Sequence, residues 1–107
     1  MKSAKIYFPN TLAGRLVENE EGFLFVYDTE YLQNPLSQAI SLTLPLRPQP
    51  YKSDVLFPFF DGLIPEGWLL DIAQENWKID PRDRMALLLA CCRNCIGAVS
   101  VIAETNE

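Results

Sequence analysis

The sequence predicts a small α+β domain: a mostly antiparallel sheet or partly open barrel of about five strands, packed with two main helices in the C-terminal half. Three observations lead there. Phe23-Leu24-Phe25-Val26-Tyr27 is an aromatic and β-branched run between polar turns, the composition of a strand. Met85, Leu88, Leu89 and Cys92 recur at i, i+3, i+4 and i+7, the buried stripe of a helix. The chain has 107 residues, 49% hydrophobic and 21% charged, which fits one globular domain spanning residues 1–107 rather than two domains or a disordered chain.

The elements follow in order. Lys5-Ile6-Tyr7-Phe8 reads as a first strand, and Leu12 to Val17 as a second, broken by Gly14. Glu18-Asn19-Glu20-Glu21-Gly22 is a polar turn into the Phe23–Tyr27 strand, so the start is a meander. Asp28-Thr29-Glu30-Tyr31-Leu32 predicts one helical turn capped by Asp28 or Thr29 and stopped by Pro35. Ile40-Ser41-Leu42-Thr43-Leu44 alternates apolar and hydroxyl residues and predicts a half-buried strand. Pro45, Pro48 and Pro50 then force an extended loop through Arg47. Phe57-Pro58-Phe59-Phe60 reads as a core anchor, with Asp61-Gly62 as a turn after it.

A helix is predicted from Pro65 to about Trp77, with Leu69, Ile72 and Ala73 as its buried stripe. Asp80-Pro81-Arg82-Asp83 predicts the start of the second helix, with Asp80 as cap and Asn94 near its end. Gly97 to Ile102 reads as the last strand and Ala103 to Glu107 as a polar tail.

Composition excludes several chemistries. With 9 basic and 14 acidic residues the net charge is −5, too acidic for a face that binds nucleic acid directly. There is no His, hence neither a Ser-His-Asp nor a Cys-His catalytic pair. The five glycines are dispersed and form no phosphate loop. Glu20-Glu21 is a carboxylate pair in a turn, without the pocket that would raise a pKa.

Cys91, Cys92 and Cys95 follow a helical run, where the dipole disfavours a thiolate, and they read as buried structural thiols. A thiol enzyme or a metal site built on Cys92 and Cys95 is the competing reading, but zinc needs four ligands. No cofactor or metal is expected. The N-terminus has only three apolar residues before Pro9, too few for a signal peptide, and no run approaches a membrane span. A cytoplasmic protein follows, with no membrane partner.

One surface stands out. On the Pro65–Trp77 helix, Trp68 lies off the buried stripe, with Asp71 and Glu75 at i+3 and i+7. Gly67 leaves space beside the ring, and Glu66 adds a further carboxylate. A solvated helix face explains Asp71 and Glu75 better than a catalytic pair does, and a core edge explains Trp68 as well as an interface does. The residues alone favour binding over catalysis and name no partner.

Three segments resemble the first N-terminal subdomain of HipA-type serine/threonine kinases. They are Ile40-Ser41-Leu42-Thr43-Leu44-Pro45-Leu46, similar to the family's LSLSLPL; Phe59-Phe60-Asp61-Gly62-Leu63-Ile64-Pro65-Glu66-Gly67, similar to FFDGLLPEG; and Gly97-Ala98-Val99, similar to its GAV strand. The chain has Cys92-Arg93-Asn94 where the family usually has Gly-Arg-Asp. With the three segments in register, the resemblance covers nearly the whole chain, and none of the kinase's ATP-binding or catalytic elements is part of it.

A detached copy of this subdomain resembles the HipS component of tripartite HipBST toxin–antitoxin systems. That resemblance implies a non-enzymatic antitoxin that binds and inhibits a HipT- or HipA-like kinase toxin. It also implies a ternary complex with a HipB-like helix-turn-helix repressor, and no direct DNA contact by this chain. Trp68, Asp71, Glu75, Glu66 and Gly67 are then the expected partner interface, docking at the kinase cleft. The alternative is a scaffold that joins kinase to repressor without blocking catalysis.

Overall fold

The computed structural model describes residues 2–64, 83–91 and 99–104. Five strands form one antiparallel sheet in the order β4-β3-β2-β1-β5. The strands are β1 (Lys2–Tyr7), β2 (Leu12–Asn19), β3 (Gly22–Tyr27), β4 (Tyr51–Ser53) and β5 (Ser100–Ala103). Among the described residues the helices are α1 (Thr29–Gln33), α2 (Pro58–Asp61) and α3 (Arg84–Cys91). The predicted α+β class and five-stranded antiparallel sheet are what the chain forms.

The meander is local. β1 pairs with β2 from Lys2↔Glu18 to Tyr7↔Leu12, and β2 with β3 from Gly14↔Tyr27 to Asn19↔Gly22. β1 starts earlier than predicted and stops at Tyr7, because Phe8 turns away to bond Thr11 O through its N–H at 2.8 Å. The Glu18–Gly22 turn is shorter than expected: Glu18 and Asn19 are still in β2, and only Glu20-Glu21 turn, both exposed. Gly22 has φ +130°, a conformation that L side chains rarely adopt.

Gly14 does not break β2. The strand runs through it because a Cβ there would overlap the Val26 carbonyl oxygen and press on the Phe25 ring. The missing side chain is what lets β3 and Phe25 close against the strand.

One face of the sheet carries the core. Ala4, Ile6, Leu16 and Phe25 are fully buried there against Phe60, Met85 and Leu88. The expected anchoring by Phe57-Pro58-Phe59-Phe60 is present. Phe60 packs on Phe25 with ring centroids 5.5 Å apart, on Phe57 at 6.2 Å and on Phe59 at 5.2 Å. Pro58 opens α2, where its missing N–H costs nothing.

In α3, Met85 and Leu88 are buried as predicted and Leu89 is half-buried. Leu87 is buried too, which the i, i+3, i+4 stripe omits, so the apolar face is wider than that stripe. The helix starts at Arg84, later than the Asp80-Pro81 signature places it. Asp83 does the capping: its Oδ1 accepts from the Ala86 N–H at 3.0 Å. Asp80, Pro81, Asn94 and the side chains of Cys91, Cys92 and Cys95 lie outside the described residues.

Two further expectations are corrected. Ile40–Leu44 is not a strand but a tight turn, with Ser41 bridged to Leu44 and the Leu44 N–H bonded to Ser41 O at 3.1 Å. The fourth strand is instead Tyr51–Ser53, directly after the prolines, paired with β3 from Phe25↔Tyr51 to Phe23↔Ser53. The last strand is Ser100–Ala103, with Gly97 and Ala98 outside the described residues.

Candidate functional site

All the residues that sequence reasoning put at the partner interface, Trp68, Asp71, Glu75, Glu66 and Gly67, lie in segment 65–82, outside the described residues. The residues flanking that segment are tied together. Arg84 Nε donates to Asp61 Oδ1 at 2.7 Å, and Lys2 Nζ to Asp83 Oδ2 at 3.1 Å with Glu18 3.8 Å away. The bond to Asp83 is the main cause holding the Lys2 ammonium above its ordinary pKa, with partial burial working against it. Ile64, the last described residue before the segment, is buried in the core.

A second surface is fully described, and the strand prediction hid it. α1 is capped by Asp28, whose carboxylate accepts from the N–H groups of Glu30 at 3.1 Å and Tyr31 at 3.4 Å. That cap places Tyr31 beside Tyr27 of β3, rings stacked with centroids 6.0 Å apart. Both hydroxyls reach the next loop. Tyr31 donates to Gln38 O at 2.5 Å, and Tyr27 donates to Leu44 O while accepting from the Ile40 N–H at 3.1 Å. Burial pushes the Tyr27 phenol above the ordinary tyrosine pKa, and the Ile40 N–H works the other way. Tyr51 adds a fourth tie by donating to Pro45 O at 2.7 Å. Arg47 stacks over the Tyr51 ring at 3.7 Å and donates to Gln49 O and Pro50 O, which braces the proline stretch.

Pinned in this way, the turn shows one large apolar side chain to solvent. Ile40 and Leu44 are buried at its ends, whereas Leu42 between them is 98% exposed. The Ser41 and Thr43 hydroxyls are 2.9 Å apart, and Ser41 Oγ also accepts from the Thr43 N–H. They stiffen the turn rather than offer a nucleophile. Leu36, 85% exposed, and Leu46 lie on the same 34–50 loop. An apolar tip on a braced turn suits binding a partner, because little conformational freedom is lost on docking. The signal in the sequence is the hydroxyl on either side of Leu42 followed by Pro45, a turn chemistry the alternation masked.

Among the described residues no group of three or more Cys, Asp or Glu could hold a metal ion, and no helix is long and apolar enough to cross a membrane.

Comparison with known proteins adds the family. The profile of the HipA N-terminal domain matches residues 4–102. An uncharacterized protein of Haemophilus influenzae is 36% identical over 104 residues, covering 97% of this chain and 94% of that protein. A Sinorhizobium fredii protein named "Putative kinase Y4mE" is 24% identical over 103 residues; the match covers 95% of this chain but only 24% of that one. A solved structure described as the N-terminal domain of HipA toxin superposes with a TM-score of 0.73 at 34% identity, covering 100% of this chain and 96% of that one.

Proposed function

The chain belongs to the HipA N-terminal domain family, and on that premise we propose that it is a cytoplasmic, non-enzymatic antitoxin. It binds a HipT- or HipA-like serine/threonine kinase toxin directly and inhibits it, within a ternary complex that includes a HipB-like helix-turn-helix repressor. One observation carries this reading. The domain makes up nearly all of the Haemophilus relative, yet about a quarter of the relative named a kinase. A separate copy of a domain that elsewhere shares a chain with a kinase has a ready-made binding partner in such a kinase.

Two contacts do the work in this proposal. Trp68 is the anchor at the catalytic cleft, since a buried Trp commonly dominates an interface. Asp71, Glu75 and Glu66 face the basic residues that hold phosphate groups, and Gly67 leaves room for the ring. The braced turn supplies the second contact through Leu42. The net charge of −5 speeds encounter with a basic cleft.

The test is to titrate the chain into a HipT- or HipA-like kinase and follow autophosphorylation and substrate phosphorylation. Activity falling to zero near equimolar ratio is expected. Unchanged activity with co-purification would replace the inhibitor by the scaffold. Trp68→Ala is expected to weaken inhibition about thirtyfold with an unchanged circular dichroism spectrum; full inhibition by that folded variant would remove the Trp68 mechanism. Leu42→Ser is expected to leave stability within about 0.5 kcal/mol, as for an exposed side chain, and to weaken binding severalfold.

A further inference from the structure

The sheet has a second face, opposite the core, and none of the described helices packs on it. Strand alternation puts Lys5, Arg15, Val26 and Ile102 there in one row across β5, β1, β2 and β3, since Lys5 pairs with Ile102 and Arg15, and Arg15 with Val26. The next row holds Val17, Leu24 and Lys52, with Val17 opposite Leu24 and Leu24 opposite Lys52. The aliphatic side chains are only partly buried, and Arg15 and Lys52 are exposed.

One feature of this face is unfavourable for the chain alone. Lys5 and Arg15 stand directly opposite each other on neighbouring strands, a like-charge pair that weakens a sheet. Glu104 offsets Arg15, with its Oε2 3.6 Å from Arg15 Nε, but Lys5 makes no ion pair among the described residues. In a chain of net charge −5, this face is positive. A carboxylate brought to Lys5 would relieve the repulsion, and Val26 and Ile102 offer apolar area on either side of it.

We propose that this face is a docking surface for an acidic amphipathic helix of a partner protein. Neighbouring strands lie ~4.8 Å apart, close to the ~5–6 Å between residues three or four apart on a helix. A helix crossing the strands with the order apolar, acidic, acidic, apolar at those spacings meets Ile102, Lys5, Arg15 and Val26 in turn. Nucleic acid fits less well: the cations are few, the chain is acidic overall, and phosphates make no use of the aliphatic groups.

The proposal does not depend on kinase inhibition, and its test uses no kinase. The ¹⁵N-labelled chain is titrated at physiological salt with a synthetic helical peptide carrying Leu, Glu, Glu and Leu at positions i, i+4, i+7 and i+11. A peptide of the same composition in scrambled order and a short DNA duplex serve as controls. Amides of Lys5, Arg15, Val26 and Ile102 are expected to shift, with the ordered peptide binding about fivefold more tightly than the scrambled one. The double variant Lys5→Ser, Arg15→Ser is expected to keep its circular dichroism spectrum and lose most of that binding, because opposite charges set such docking. No shift, equal binding of both peptides, undiminished binding by the double variant, or stronger shifts of these amides by the duplex would each overturn the proposal.

Discussion

The meander and the 34–50 loop are held by different forces. β1, β2 and β3 are a ladder of main-chain bonds between neighbours in sequence, closed by short turns. The loop has no regular ladder. Its course is set by the hydroxyls of Tyr27, Tyr31 and Tyr51 bonding main-chain groups of Gln38, Ile40, Leu44 and Pro45. A ladder shares its strength over many equivalent bonds, so deleting one side chain seldom breaks it. The loop rests on a few side-chain atoms, and each of them is a single point of failure. That is a suitable construction for a surface that presents Leu42, because the shape of the turn can be set without burying the side chain it displays.

The difference can be broken from either side. The largest effect is expected from Gly14→Ala, which attacks the ladder. The added methyl meets the Val26 carbonyl, a main-chain atom that cannot swing aside. A loss of about 3 kcal/mol in urea unfolding is expected, the upper range for overpacking; a loss below about 0.5 kcal/mol would mean the strands separate freely there. Tyr27→Phe attacks the loop instead. It leaves Leu44 O and the Ile40 N–H without their partner, at a cost of about 1–2 kcal/mol. Faster amide exchange at Ile40 and Leu44, with the β1–β2 amides still protected, would show that loop and ladder come apart separately.

The smallest effect is one of pH. The Tyr27 phenol is raised, so the folded state holds its proton more tightly than the unfolded chain does. Its contribution is complete below the ordinary tyrosine value of about 10 and is lost as pH rises through the folded value. Lys2, raised by its bond to Asp83, acts in the same direction, though its exposure to solvent weakens it. The Tyr27 phenol should therefore ionise late in an ultraviolet titration, and that late phase should vanish in Tyr27→Phe.

The parts legible in the sequence were those with local chemistry. The aromatic strand and the Asp28 cap depend on residues adjacent in sequence, and the phenylalanine anchor shows as a dense aromatic run even though its partner Phe25 is distant. Ile40–Leu44 imitates a strand because a tight turn with both ends in the core buries the first and last residue of five, as a strand does. Only the middle residue differs, and Leu42 faces solvent where a strand of that period would cover it. β4 went unseen because three residues are too few to show a period, and it owes its place to β3 rather than to itself. The Asp80-Pro81 signature and Asp83 are alternative caps within one turn of each other, and the bond to Ala86 selects Asp83. Of the candidate site, Trp68 and its carboxylates are legible in the sequence, whereas Leu42 requires the tyrosine ties, which follow neither a helical nor a strand period.

The pairing of β5 with β1 bears on the order of assembly. Ala4 lies opposite Ala103, and the Glu104 N–H donates to Ser3 O at 2.9 Å, so nearly the whole sequence must be gathered before that edge of the sheet can close. The meander meets its partners within a few residues and can form early at small entropic cost, while the β1–β5 seam closes a long loop. On a ribosome, the first three strands emerge long before the strand that completes their sheet. During that interval the edge of β1 stands open, a template for any extended segment nearby.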